Sequence, residues 1–162
     1  MNTLSPDIVL QIEELQMRYI DSLGNKDMDA WLNTFSQSGS YYCRTAESEE
    51  RNLEISYIHD DCHARLQDRV KFVTRVWEGT FQDYQTRHFI QRLHNKALEA
   101  DLYEVHYNVA VAFTRSDNGA TEFLIAGKYE DKVEIKKNRA LFRSKKVVID
   151  SPLLPHYIVY PL

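Results

Sequence analysis

The stretch from residue 99 to residue 150 constrains the fold most, because apolar and polar side chains alternate along nearly all of it. Such alternation, rich in Val, Tyr and Phe, indicates β-strands with one buried face. Short polar breaks containing Asn-Gly or Lys-Asn indicate hairpin turns. The predicted strands are residues 102–115, 121–135 and 139–150, with breaks at 116–119 and 136–138. Residues 81–98 alternate more weakly and are predicted to begin a four-stranded antiparallel meander that spans 81–150.

Residues 1–78 are predicted to be mainly helical with one short strand, because apolar residues recur there at helical spacing. The predicted elements are a helix capped by Ser5, a helix over 26–35, a strand over 40–45, and a third helix that Asp60 or Asp61 caps and that runs to about Val76. Helices on one face of a curved antiparallel sheet make an α+β domain. We therefore expect a single domain over residues 1–162, shaped as a cone with an open mouth.

Residues 151–162 form an apolar tail that contains three prolines. An apolar segment left in water would be an exposed hydrophobic strip, so it is expected to pack on its own sheet, to dock on another chain, or to do both. Tyr157 and Tyr160 are the predicted aromatic anchors.

Composition excludes several classes of partner. The net charge is −4 and the basic residues are scattered, which argues against a nucleic-acid-binding face. No apolar run approaches the ~20 residues that would cross a membrane. The chain has only two cysteines, Cys43 and Cys62, which favours the reducing cytoplasm over a disulfide-forming compartment.

The segment from His59 to His63 is the one sequence cluster of metal-ligand residue types. On a helix, His59 and His63 would lie on the same face, at the spacing that zinc proteases use. The acid that follows the first histidine is Asp60 rather than glutamate, and no third ligand is apparent. Asp60 and Asp61 are better explained as acids at a helix N-terminus, so no metal site is predicted.

A cone of this kind can also host acid–base chemistry in an apolar pocket. The candidates for a free-standing isomerase or dehydratase are Asp21, Tyr19, Tyr41, His88, His106 and Tyr107. His106 and Tyr107 fall on opposite faces of one strand, so only one of them can face a pocket. The other interpretation is that the tyrosines belong to the core. A small-molecule-binding module that uses the same cavity without turnover stays open as well.

Two charged pairs lie in apolar surroundings: Asp68 with Arg69, and Arg87 with His88. Such charges usually belong to solvated faces. The alternative is an Arg–carboxylate network between elements or between chains, since arginine pairs with carboxylates in a bidentate manner. We expect these four residues to make structural or intersubunit polar contacts. The paired Cys and His segments of a Rieske cluster are absent, and no catalytic set is predicted.

The segments 66–70 (LQDRV) and 87–90 (RHFI), with the ending Tyr160-Pro161-Leu162, resemble the small (beta) subunits of Rieske-type aromatic-ring-hydroxylating dioxygenases. The order of elements agrees over nearly the whole chain. The resemblance is closest to the anthranilate, salicylate and terephthalate branch.

This resemblance implies a cystatin-like cone of the nuclear transport factor two superfamily. It also implies a large (alpha) partner subunit that holds the Rieske [2Fe-2S] cluster and the mononuclear non-haem iron, in an α3β3 hexamer. Cone-forming subunits of this kind often trimerise alone. The implied role is that of a non-catalytic subunit of an oxidoreductase in aromatic compound degradation, with no cofactor of its own.

Overall fold

The computed structural model describes residues 4–162, which form several helices and one six-stranded sheet. The helices are α1 (Pro6–Gly24), α2 (Met28–Leu32), α3 (Ala46–Glu50) and α4 (His63–Lys71), and a π-helical turn (Phe72–Val76) continues α4. The strands are β1 (Tyr41–Thr45), β2 (Ile58–Asp60), β3 (Tyr84–Glu99), β4 (Leu102–Arg115), β5 (Thr121–Lys136) and β6 (Arg139–Ile149). Within residues 4–162, no helix combines the length and apolar character needed to span a bilayer.

The strands lie in the order β2-β1-β6-β5-β4-β3. Strands β3 to β6 pair as the antiparallel meander that the alternation predicts. The prediction of a purely antiparallel sheet is wrong at one position, because β1 runs parallel to β6 with Tyr41 opposite Lys145. The sheet is therefore mixed, and it stays curved and unclosed.

The core lies between α1 and the concave, inner face of the sheet. Inward-facing residues of β4 alternate with outward-facing ones, and those between Tyr103 and Phe113 are buried at every second position. From α1, Ile12, Leu15 and Tyr19 meet this face with no exposed surface. Each such side chain contributes about 1.5–3 kcal/mol when buried. The expected cone, with helices packed on a curved sheet, is confirmed.

The segment before α4 differs from the prediction. Asp60 ends β2 and does not cap a helix, and α4 begins after Cys62 without a side-chain cap. A short helix, α3, also occupies the charged segment that follows β1, where its N-terminus is capped by Thr45. Asp60 pairs with Tyr41 of β1 as the last residue of β2, and its carboxylate contacts Arg69 of α4.

Candidate functional site

The inner face of the sheet carries a buried ion pair at its centre. The Nζ atom of Lys145 on β6 lies 2.8 Å from Oδ2 of Asp131 on β5, and both side chains have no exposed surface. Gln16 of α1 completes the cluster: its Nε2 donates to Asp131 Oδ2 over 2.8 Å, and its Oε1 accepts from Lys145 over 3.2 Å. The helix and two strands are thus joined by one hydrogen-bonded group.

Three aromatic rings enclose the Lys145 ammonium. Its Nζ lies 3.5 Å from the ring centroid of Tyr129, 4.3 Å from that of Tyr19 and 4.4 Å from that of Phe142. Cation–π attraction of this kind is strongest when the cation is desolvated. Burial lowers the pKa of Lys145 to about 8, although the Asp131 carboxylate opposes that shift. Burial likewise raises the pKa of Asp131. The cluster occupies the centre of the inner face of the sheet.

Asp21 and His88 are the acid–base candidates that line a common pocket, of about 670 Å³ between α1 and β3, and the tyrosines are placed elsewhere. Tyr19 and Tyr41 both donate their hydroxyl protons to the backbone oxygen of Leu162, over 2.6 and 3.2 Å. Tyr107 donates to Glu13 of α1 over 2.8 Å, on the inner face. His106 lies on the opposite face, as the strand alternation predicts, and Asp21 is exposed on α1. The core interpretation of the tyrosines therefore fits the structure.

Asp68 and Arg69, which are adjacent on α4, have different partners. Arg69 forms a bidentate contact with Asp60 of β2, with its Nε 2.9 Å from Oδ2 and its Nη2 3.0 Å from Oδ1. Both side chains are largely buried. Asp68 instead faces solvent and lies 3.4 Å from Lys71. Of these two residues, Arg69 is the one that ties two elements together.

Arg87 and His88 are adjacent on β3, and both line the pocket between α1 and β3. Arg87 is exposed and lies over the end of α1, where a Cβ atom on Gly24 would be 3.3 Å from its Nη1. Both ring nitrogens of His88 are buried, and neither has a hydrogen-bond partner among the described residues. Burial lowers the pKa of His88 to about 3, and the charge of Lys145 acts in the same direction. His88 is thus a neutral imidazole whose ring nitrogens are buried, at the edge of the pocket beside α1.

The tail divides into an exposed and a buried part. Leu153 is 85% exposed, and Tyr157 is half exposed although its hydroxyl donates to the backbone oxygen of Gln82. Tyr160 is only 8% exposed and donates to Asp83 over 2.9 Å. Leu162 is buried between α1 and β1. Tyr160 therefore anchors the tail within its own chain.

A charged groove of about 910 Å³ lies on the outer face of the sheet. An ion network crosses it: Lys146 of β6 contacts Glu130 of β5 over 2.7 Å and Glu49 of α3 over 2.8 Å, and Arg44 of β1 contacts Glu49 over 2.8 Å. The other outward-facing residues of the groove include Tyr42, His59, Glu104, His106, Lys132 and Ser144. Charged and polar side chains therefore line this groove on both of its sides.

The histidines of the 59–63 segment do not share a helix face. His59 belongs to β2 and lies 3.8 Å from Asp61, whereas His63 begins α4. The sequence reasoning also missed the buried cluster. The alternation could have revealed it. Lys145 is two residues from Val147 in β6, and Asp131 is two residues from Tyr129 in β5, so each charged residue lies on the same buried face as its apolar neighbour.

The fold has close counterparts among solved structures. A protein assigned as the beta subunit of an aromatic-ring-hydroxylating dioxygenase from Novosphingobium aromaticivorans superposes with a TM-score of 0.79 at 23% identity, covering 91% of this chain and 93% of its own. The beta subunit of benzoate 1,2-dioxygenase from Burkholderia mallei gives a TM-score of 0.72 at 21% identity, with 93% of each chain covered. These likenesses define a protein with the cystatin-like cone fold.

The particular family follows from sequence. The model of the ring hydroxylating beta subunit family matches residues 18–156. The anthranilate 1,2-dioxygenase small subunit of Burkholderia cepacia is 26% identical over the full length of both chains. The chain belongs to the ring hydroxylating beta subunit family, which confirms the resemblance.

Proposed function

We propose that this chain supports the assembly of the large catalytic subunits in the terminal oxygenase component of an aromatic-ring-hydroxylating dioxygenase. The family match over residues 18–156, which includes nearly every strand and helix, carries this proposal. The named relative is the small subunit of a dioxygenase that acts on anthranilate, so an aromatic acid is the substrate class of the assembled enzyme. The partner is a large alpha subunit, in an α3β3 hexamer in the cytoplasm.

The buried Lys145–Asp131–Gln16 cluster supports a scaffold rather than a free-standing isomerase or dehydratase. Lys145, Asp131 and Gln16 use their hydrogen-bonding capacity mainly on one another, and aromatic rings close over them. A ligand pocket needs a concave volume lined by groups that can reach the ligand. Polar groups that are locked in a closed core instead fix the shape of the subunit.

The residues of this chain do not fit a Rieske cluster, which requires two cysteines and two histidines in paired segments. Cys43 lies in the core, where burial raises the pKa of its thiol to about 12, and Cys62 is exposed at the start of α4. We accordingly assign the [2Fe-2S] cluster and the mononuclear iron to the large subunit. The two unpaired thiols support a reducing cytoplasm.

The exposed part of the tail is the surface that we propose docks on the large subunit. Leu153 and Tyr157 offer apolar surface beside the C-terminal segment that is fixed to the core by Tyr160 and Leu162. A rigidly held aromatic or aliphatic side chain can enter a partner pocket with little loss of conformational entropy.

Co-expression with the Rieske-containing large subunit of the same organism tests the assembly role. A tagged copy of this chain should retain a brown, iron-containing large subunit, and light scattering after gel filtration should give the mass of the hexamer. Leu153→Asp should reduce the retained large subunit. Leu10→Asp, at another exposed leucine on α1, is the control. Turnover of a small organic compound by the isolated chain, or an absence of co-elution, would contradict the assignment.

Arg69→Ala separates a structural contact from an intersubunit one. It leaves the buried Asp60 carboxylate unpaired, so it should destabilise the isolated chain by about 3 kcal/mol in urea unfolding. Asp68→Ala, at the exposed neighbouring position, should leave stability within about 0.5 kcal/mol of the wild type. If Arg69→Ala kept full stability but prevented hexamer formation, Arg69 would act between chains instead.

A further inference from the structure

Two histidines and a glutamate meet on the outer face of the sheet, where β3 and β4 pair. The Nε2 atom of His106 lies 3.2 Å from Oε1 of Glu104, and the rings of His94 and His106 stack with centroids 4.3 Å apart. One potential ligand atom from each residue lies within 4.8 Å of the other two. His94 is exposed and the other two are half-buried, so solvent can reach the group.

A β-bulge places His94 in this group. Arg92 pairs with Tyr107 and faces α1, where its Nη1 lies 3.3 Å from Glu13. Regular alternation would then direct His94 to that same inner face. The register shifts between Arg92 and His94, so that His94 pairs directly with His106 on the outer face. Bulges commonly re-aim a side chain in this way beside functional sites.

We propose that His94, Glu104 and His106 bind a divalent transition-metal ion of the zinc class, with water in the remaining coordination position. Imidazole nitrogens and one carboxylate are a donor set that suits Zn²⁺, Co²⁺, Ni²⁺ and Cu²⁺. At metal–ligand bonds of about 2.0–2.2 Å, the ligand atoms of a tetrahedral ion are about 3.4 Å apart. The contact between Glu104 and His106 already meets that spacing, and the exposed ring of His94 can turn to complete it.

The neighbouring charges select against hard cations. Glu104 has Lys96 and Lys132 as its cross-strand neighbours. Glu130, the cross-strand neighbour of His106, is held by Lys128 over 2.6 Å and by Lys146 over 2.7 Å. Magnesium and calcium need several oxygen ligands, which this group does not offer. Binding through two neutral imidazoles is therefore the main source of affinity, and it favours zinc-class ions.

Titration of the metal-free, untagged full chain tests the site. After treatment with EDTA and removal of the chelator, calorimetry with ZnCl2 should show one saturable site per chain, and CoCl2 should give visible ligand-field bands. His94→Ala and His106→Ala should each weaken Zn²⁺ binding by at least about tenfold, because even outer-shell changes cost about 10–100-fold in metal affinity. MgCl2 should give no saturable binding.

His59→Ala is the matched control, because His59 lies exposed in the same groove but outside the group. It should bind Zn²⁺ like the wild type. Circular dichroism checks that all three variants are folded. The proposal is overturned if no one-to-one binding occurs, or if the double His94→Ala and His106→Ala variant binds as well as the wild type. These readouts involve neither the large subunit nor catalysis, so they are independent of the proposed assembly role.

Discussion

Strands β5 and β6 carry two consecutive ion pairs of the same chemistry on opposite faces of the sheet. Asp131 pairs with Lys145 on the inner face, and Glu130 pairs with Lys146 on the outer face. The inner pair has no exposed surface, whereas both outer side chains keep about a quarter of theirs. Strands, register and residue types are nearly equal in the two pairs, so they differ mainly in burial and in the further contacts of the outer pair with Glu49 and Lys128.

The pKa values of Lys145 and Lys146 shift in opposite directions. Burial lowers the pKa of Lys145 to about 8, even with a carboxylate at 2.8 Å. Partial burial also acts to lower the pKa of Lys146, but hydrogen bonds from its ammonium to Glu130 and Glu49 outweigh burial and raise it. Pairing with a carboxylate therefore stabilises the charged form of Lys146. For Lys145, the same kind of pairing offsets only part of the free-energy cost of desolvating the charge. The inner pair fixes the core, and the outer pair belongs to an accessible groove.

The largest expected effect comes from breaking the inner pair. Lys145→Ala leaves Asp131 buried without its partner and should lower the free energy of unfolding by about 3–5 kcal/mol. Replacing both partners, as Lys145→Met with Asp131→Leu, should recover most of that loss, because neither charge then needs solvation. Urea unfolding at pH 7 measures both. A loss below about 1 kcal/mol in the single variant would contradict the role of the pair.

A smaller effect concerns pH and His88, which lies next to the inner cluster. Its pKa is about 3 in the folded chain, against an ordinary value of 6.5, so below pH 6.5 the unfolded chain binds a proton that the folded chain does not. Stability should therefore fall as pH drops from 6.5 toward 3, by about 2 kcal/mol at pH 5. His88→Leu should remove this part of the pH dependence.

Urea unfolding at pH 7.5 and pH 5 compares the wild type with His88→Leu. His59→Leu, which removes an exposed imidazole outside the core, is the control. If the two histidine variants had the same slope as the wild type, His88 would have to be solvated in the folded chain.

The outer pair should give a weaker effect in the same direction, but at lower pH. Burial alone would raise the pKa of Glu130, but Lys128 and Lys146 lower it from 4.5 to about 2. The carboxylate therefore contributes stability above pH 4.5, and this contribution is lost as pH falls through 4.5 toward 2. Glu130→Gln should cost about 1 kcal/mol at pH 7, after allowance for solvent screening, and nothing near pH 2. Thermal unfolding at pH 7, 4 and 3 should show the difference narrowing.

The smallest effect is expected for an apolar residue on the outer face. Phe123 is 67% exposed, so Phe123→Ala should change stability by less than about 0.5 kcal/mol. Phe142→Ala, at a fully buried position of β6, should cost about 3–5 kcal/mol. Equal losses in urea unfolding would mean that the two faces are not distinguished by burial.

Local patterns predicted the meander well because period-two alternation and turn residues are adjacent in sequence. Strand β4 has the predicted bounds, and β5 and β6 differ from theirs by one residue at one end. The parallel pairing of β1 with β6 had no local signal. Asp60 was assigned to a helix cap for the same reason, since Arg69, its partner across elements, cannot be recognised from spacing alone.

The metal-ligand residues show the same limit. The 59–63 segment attracted attention because its histidines are close in sequence, but the strand that holds His59 separates it from α4. His94 and His106 are brought together by a bulge, which shifts side-chain direction without any distinctive residue. Their pairing depends on the register between β3 and β4, which the sequence pattern did not predict.

The parallel contact of β1 with β6 also has a consequence for how the chain reaches its native state. Strands β3 to β6 can zip together from neighbouring hairpins, whereas Tyr41 must find Lys145, about 100 residues further along, before the contact forms. We expect β1 to join late, when the meander already exists. Until β1 joins, the edge of β6 has unpaired backbone groups. At high protein concentration during expression, this edge should pair with a strand of another chain.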